Sequence, residues 1–77
     1  MDQSVEKLIS EGEYDKAKEI AYQHYAKYEL DEAEEIYNEL YDRIIDEKGR
    51  HSEDAAEVMK ALANIAYEQN NYELALS

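Results

Sequence analysis

Apolar residues recur at three- and four-residue spacing along almost the whole chain, and each time the rhythm pauses it resumes within a few residues. Val5, Leu8 and Ile9 form a first stripe, and Tyr14, Ala17, Ala21, Tyr25 and Tyr28 a second. Leu30, Ala33, Ile36, Tyr37, Leu40, Tyr41, Ile44 and Ile45 form a third, and Ala55, Val58, Met59, Leu62, Ile65 and Ala66 a fourth. This is the period of an amphipathic helix, and no segment alternates with period two over strand length. Proline is absent, and Gly12 and Gly49 fall in the pauses, where they read as helix ends. The pattern predicts helices over residues 3–11, 14–28, 31–48 and 53–69, with a stub from residue 72. Asp31 and Ser52 read as helix starts, each with carboxylates behind it that meet the positive helix end. Connections this short force consecutive helices to lie side by side and antiparallel. The expected fold is therefore all-α, a single domain over residues 1–77 built of antiparallel helical hairpins.

Composition narrows the function. At 77 residues the chain has too little interior for a catalytic cleft to be expected. It has no cysteine, and no apolar run of about 18 residues that would span a membrane. The N-terminus, Met1-Asp2-Gln3-Ser4-Val5-Glu6, lacks the basic start and apolar core of a signal peptide, which favours a cytoplasmic location. Twenty acidic against eight basic residues give a net charge of −12, spread along the chain. Such a surface opposes nucleic acid and anionic membranes and favours solubility or a basic partner. The 44% hydrophobic content argues against an acidic disordered chain. Large core side chains must come from the eight tyrosines, since Phe and Trp are absent.

No reaction chemistry stands out. His24 and His51 occupy different segments without a second ligand at metal spacing, and read as structural or surface histidines. Carboxylate pairs such as Glu34 with Glu35 or Asp42 with Asp46 are inevitable among twenty acids, and general acid–base work needs a cleft as well. A phosphate loop, a nucleophile elbow and a calcium loop are all missing from the sequence. No enzymatic activity, metal or cofactor is expected.

A recurring outline carries more information. Gly12-Glu13-Tyr14-Asp15-Lys16-Ala17 is echoed by Glu29-Leu30-Asp31-Glu32-Ala33 and by Asn71-Tyr72-Glu73-Leu74-Ala75. In each, a large residue follows a turn and an alanine comes three residues later. On a helix those two share a face, the large one filling the wedge of a hairpin and the alanine admitting a neighbouring helix.

The stretch from Met59 to Ala75 resembles a tetratricopeptide repeat. Leu62-Ala63 match the apolar-plus-small pair of that family's first helix, Tyr67 its late aromatic, Asn70-Asn71-Tyr72 its turn and Ala75 the small residue of its second helix. A second copy, counted back from Ala33, has Ile20-Ala21 as the apolar-plus-small pair, Tyr25 as the late aromatic, Leu30 in the turn and Tyr37 in the second helix. The 42 residues from Ala33 to Ala75 exceed the usual period of ~34, and with Gly49, His51 and Asp54 in the connection are similar to the repeats of kinesin light chains. The proline usual after the histidine is Ser52 here.

The resemblance implies a short tetratricopeptide-like array and a non-catalytic protein–protein interaction module that binds a peptide on its concave face. Lys60 and Asn64 match the lysine and asparagine with which some members hold a peptide's terminal carboxylate, the competing reading being an ordinary solvated face. Tyr22 departs from the apolar stripe and is the third expected contact, whereas Tyr25, Tyr37 and Tyr41 fall on the stripe as core. The rival expectation is an engineered or excised repeat fragment that self-associates as a helical bundle with no natural ligand, since the helix begun at Tyr72 stops after about a turn and a half. Fewer than about three repeats leave an apolar face open, so a homodimer is expected, by face-to-face packing or by straightening Gln69-Asn70-Asn71 into one long helix.

Overall fold

The computed structural model describes residues 2–76, with side chains as far as Asn71. Four helices follow one another: α1 (Gln3–Ser10), α2 (Tyr14–Ala26), α3 (Leu30–Lys48) and α4 (Glu53–Leu76). No strand occurs among the described residues. The chain is an all-α array in which each helix packs on the next, and α1 also packs on α3.

The first two corners have the same construction sixteen residues apart. At the end of α1, Gly12 takes φ +80°, its N–H donates to the Ile9 carbonyl (3.1 Å) and the Glu13 N–H donates to the Leu8 carbonyl (2.9 Å). At the end of α2, Tyr28 takes φ +64°, its N–H donates to the Tyr25 carbonyl (3.0 Å) and the Glu29 N–H donates to the His24 carbonyl (2.8 Å). Both are Schellman corners, which satisfy the last carbonyls of a helix by one residue in the left-handed region. The sequence echo is the mark of this corner: the left-handed residue, a glutamate, a buried large residue (Tyr14 or Leu30), two polar residues, and an alanine with no exposure (Ala17 or Ala33).

Several boundaries differ from the periodicity. Tyr28 is a corner residue and not the last turn of α2. α3 starts at Leu30, so Asp31 lies inside its first turn, where a carboxylate still meets the positive helix end. Ser52 does start α4: its Oγ accepts from the Ala55 N–H (3.2 Å) and donates to the Gly49 carbonyl (3.0 Å). The largest departure is in α4. The turn expected at Asn70-Asn71-Tyr72 does not form, and the helix runs on through it to Leu76. The side chains of Tyr72 and Ala75, which carry the third echo, lie outside the described residues.

Cross-links fix the directions. Tyr14 at the start of α2 bonds Glu47 at the end of α3, and Lys48 at the end of α3 bonds Asp54 at the start of α4, so α3 is antiparallel to both neighbours. α2 and α4 run parallel. Lys18 meets Asp54 and Glu57, and the Tyr28 hydroxyl, just past α2, donates to Glu68 (2.8 Å), at sequence separations of 36, 39 and 40 residues. The Cα extents are 41 × 27 × 14 Å. Two helix layers about 8–10 Å apart, each adding a Cα radius of about 2.3 Å, give a slab of that least thickness. One layer holds α1 beside α3, and the other holds α2 and α4.

The core lies between the layers. Ile9, Leu40, Ile44, Val58 and Ile65 are its largest fully buried side chains, and Ala17, Ala21 and Ala33, with no exposure, mark the close helix approaches. Tyr37 is buried as its stripe position predicts, while Tyr25 and Tyr41 are only partly so. In α4 the stripe splits: Ala55, Val58 and Ile65 are inside, Leu62 is half-buried, and Met59 and Ala66 are exposed, as is Tyr67 beside them. None of the described helices is long and apolar enough to cross a membrane.

Candidate functional site

α2 and α4 share a layer but stand apart, both leaning on α3, and the gap is an open groove. Its broad part, about 370 Å³, is lined by Asp15, Lys18, Glu19 and Tyr22 from α2, Tyr37 from α3, and Glu57, Val58 and Ala61 from α4. A narrower recess of about 70 Å³ continues it between Tyr22, Tyr25, Tyr37, Ala61 and Asn64. Helical spacing explains the walls, because residues 15, 18, 19 and 22 share one face of α2 and residues 57, 61 and 64 one face of α4. Ala61 stands opposite Tyr22, and its small side chain keeps the groove open. The floor is Tyr37, 6% exposed.

Tyrosine dominates the recess. Tyr22 is 63% exposed, and its ring lies 6.2 Å from that of Tyr25 at a tilt of 32°. Burial, and then the neighbouring Tyr22, push the Tyr37 phenol above its ordinary value, so it stays a neutral hydroxyl.

Lys18 closes one end. Its ammonium contacts Asp54 Oδ1 at 3.1 Å and Glu57 Oε2 at 3.0 Å, with only 17% of the side chain exposed. Burial works against the charged form, but the bonds to Glu57 and Asp54 outweigh it and hold the ammonium above its ordinary value. Asp54, bonded to Lys48 and then to Lys18, is held below the ordinary carboxylate value. This four-residue network ties the ends of three helices together at the mouth of the groove. Three of the four charged residues lining the broad part are carboxylates, Asp15, Glu19 and Glu57, and the fourth, Lys18, is already engaged.

Of the residues expected to bind, Tyr22 and Asn64 come together in the recess. Lys60 is exposed on α4 and lines neither part of the groove. Lys18 and Ala61 belong to the groove without having been singled out from the sequence, and Tyr37, read there as core, is both buried and part of the lining. The signal for Lys18 was its place one turn before Tyr22 on α2; the α4 partners at separations of 36 and 39 residues needed the fold. His24 Nδ1 lies 2.8 Å from Glu29 Oε1 at the second corner, away from the groove. Among the described residues no group of three His, Cys, Asp or Glu side chains is placed to hold a metal ion. Comparison with known proteins found no matching family model, no matching curated protein and no matching solved structure.

Proposed function

We propose that this chain is a non-catalytic protein-interaction module whose α2–α4 groove binds a peptide segment of another protein. The observation that carries the reading is the exposed Tyr22 beside Tyr25, over the buried Tyr37, in an open trough. Tyrosine gives a large, stiff contact with a polar tip, which suits a surface that must be both wet and adhesive. The groove's ammonium is held in ion pairs and its remaining side chains are tyrosine, alanine, valine, asparagine and carboxylate, a set suited to contact rather than bond-making. The tetratricopeptide-like reading enters the same proposal on the sequence outline alone, since α4 runs on through the Asn70-Asn71-Tyr72 turn that its best copy requires. A pool of short random peptides titrated into isotope-labelled protein tests the site. Amide shifts should cluster at Tyr22, Ala61 and Asn64 and vanish in Tyr22→Ala. Shifts confined to other faces would refute the groove.

A second reading rests on a different surface. Met59 (47% exposed) and Tyr67 (65% exposed) sit four residues either side of the exposed Ala63 on the flank of α4 away from α2. That spacing is self-complementary: an antiparallel pair of α4 helices crossing at Ala63 sets Met59 of each against Tyr67 of the other, as a two-fold contact requires. Self-association predicts a melting temperature that rises with protein concentration and loses that dependence in Met59→Lys. A monomer by sedimentation at every concentration would remove this reading.

A further inference from the structure

We infer that the groove selects a cationic segment, with an arginine at its Asp15–Glu19 end and a small aliphatic side chain in its tyrosine recess. The inference rests on the groove reading and names its ligand.

Charge supplies the first argument. Against three carboxylates the broad part of the groove offers one cation, and the Lys18 ammonium already spends its hydrogen bonds on Asp54 and Glu57. A carboxylate clamp of the kind the sequence suggests would need a free cation in the trough, and Lys60 lines neither part of it. An acidic peptide would meet Asp15 and Glu19 with no free cation beside them, since Lys18 is already paired with Asp54 and Glu57, on a chain whose net charge is −12. A basic peptide meets the same groups favourably, and the field of the whole molecule speeds its arrival.

Geometry supplies the second. Glu19 and Asp15 precede Tyr22 by three and seven residues, which sets both carboxylates along the same face of α2 as the exposed ring. A guanidinium lying on the Tyr22 face can donate two parallel hydrogen bonds to Glu19, so ring and carboxylate act on one group. Arginine suits this better than lysine because its planar fork stacks and hydrogen-bonds at once, whereas an ammonium is a strongly hydrated point charge. Beyond Tyr22 the lining changes to Tyr25, Tyr37, Ala61 and Asn64, without a charge. That recess is too small for another large ring and fits a short aliphatic side chain, with the Asn64 amide at its rim to pair with peptide backbone.

The test probes the full 77-residue chain with an array of short random peptides, then remakes the best-bound peptide with citrulline, the neutral isostere of arginine, in place of each arginine. The expected result is enrichment of arginine beside valine, leucine or alanine, binding that weakens with salt, and about a tenfold loss on citrulline substitution. Asp15→Asn with Glu19→Gln should weaken the arginine peptide to the level of its citrulline form and leave the citrulline form unchanged. All these positions are exposed, so circular dichroism should match the parent. Capture of neutral or acidic peptides that is lost in Tyr22→Ala overturns the cationic preference and leaves the groove as a binding site. Capture of nothing that depends on Tyr22 overturns both.

Discussion

Lys18 is the residue through which the groove and the fold are coupled, and a double-mutant cycle of Lys18→Met with Asp54→Asn measures that coupling. Methionine keeps most of the stem's length while removing the ammonium, and asparagine keeps the shape of the carboxylate. Exposed ion pairs couple by about 0.2–1 kcal/mol, whereas breaking a buried pair costs about 3–5 kcal/mol. With side-chain exposures of 17% and 31%, Lys18 and Asp54 lie nearer the first class. Discounted for solvent screening, the expected coupling is about 1 kcal/mol. Each single substitution also gives up one further partner, Lys48 in Asp54→Asn and Glu57 in Lys18→Met, and the cycle subtracts both. A chain of 77 residues has a total stability of roughly 4–12 kcal/mol, so a loss of this size is visible as about 4–8 °C in Tm.

The pH dependence follows from the direction of each shift. Asp54 is held below its ordinary value of 3.8, so its contribution is complete above that value and is lost as pH falls through the lower folded value. Lys18 is held above its ordinary 10.5, so its contribution is complete below 10.5 and is lost only as pH rises through the higher folded value. The coupling should therefore be flat across the neutral range and should collapse in strong acid. Urea titrations of the four proteins at neutral pH and near pH 2 supply the numbers. A neutral coupling below about 0.3 kcal/mol, or one that persists in acid, would refute the account of Lys18 as the tie between α2 and α4.

Four further outcomes test the fold. Ile44→Ala removes a fully buried side chain and should cost about 2–5 kcal/mol, a large part of the whole, read as a fall in the urea midpoint. Ser52→Ala removes the oxygen that caps Ala55 at the start of α4 and should cost about 1 kcal/mol, with the thermal melt as readout. Gly12→Ala places a Cβ where nothing lies within 4 Å, so its loss of about 1 kcal/mol is backbone strain at φ +80° alone. Tyr28→Gly relieves that same strain but gives up the bond to Glu68, and should stay within about 1 kcal/mol of the parent in chemical denaturation.

The helices were legible because their apolar stripes are dense and their corners are spelled out. Tyr14 with Ala17 and Leu30 with Ala33 announce both corners, and in each pair the alanine has no exposure. The candidate groove was legible only as far as Tyr22 and Asn64, which stand off the apolar stripes and meet in the recess. Its other members depend on which helices share a layer, a fact of the fold rather than of any one segment. Lys18, at 17% exposure, shows the difference: its helix alone makes it one more surface lysine, and the start of α4 makes it a bridge. Tyr28 was misread for a local reason. Large side chains rarely take positive φ, and the periodicity offered it a place in the helix.

What makes a corner turn is then visible in the comparison of three similar outlines. Gly12 takes the left-handed region at little cost because it has no Cβ, and Tyr28 takes it while its hydroxyl reaches Glu68 on α4. In both, the returning helix buries its large residue and its alanine, so tertiary packing outweighs the local cost of the bend. Asn70 occupies the matching position two residues before Tyr72, and asparagine tolerates the left-handed region better than tyrosine does. Yet α4 continues. Asparagine in a helix interior gives up only about 0.7 kcal/mol against alanine, and neither glycine nor proline interrupts the segment, so local preference alone leaves the helix intact. A corner motif thus permits a bend, and burial on the far side drives it. Where α4 runs straight, residues 72–76 are carried onward along the helix axis instead of back over its outer flank. Met59, Ala63, Ala66 and Tyr67 are exposed along α4. A segment folded back at Asn70 onto that flank would bury Met59 and Ala66, so a substitution that favours the bend should lower their exposure, read as protection of their amides and side chains.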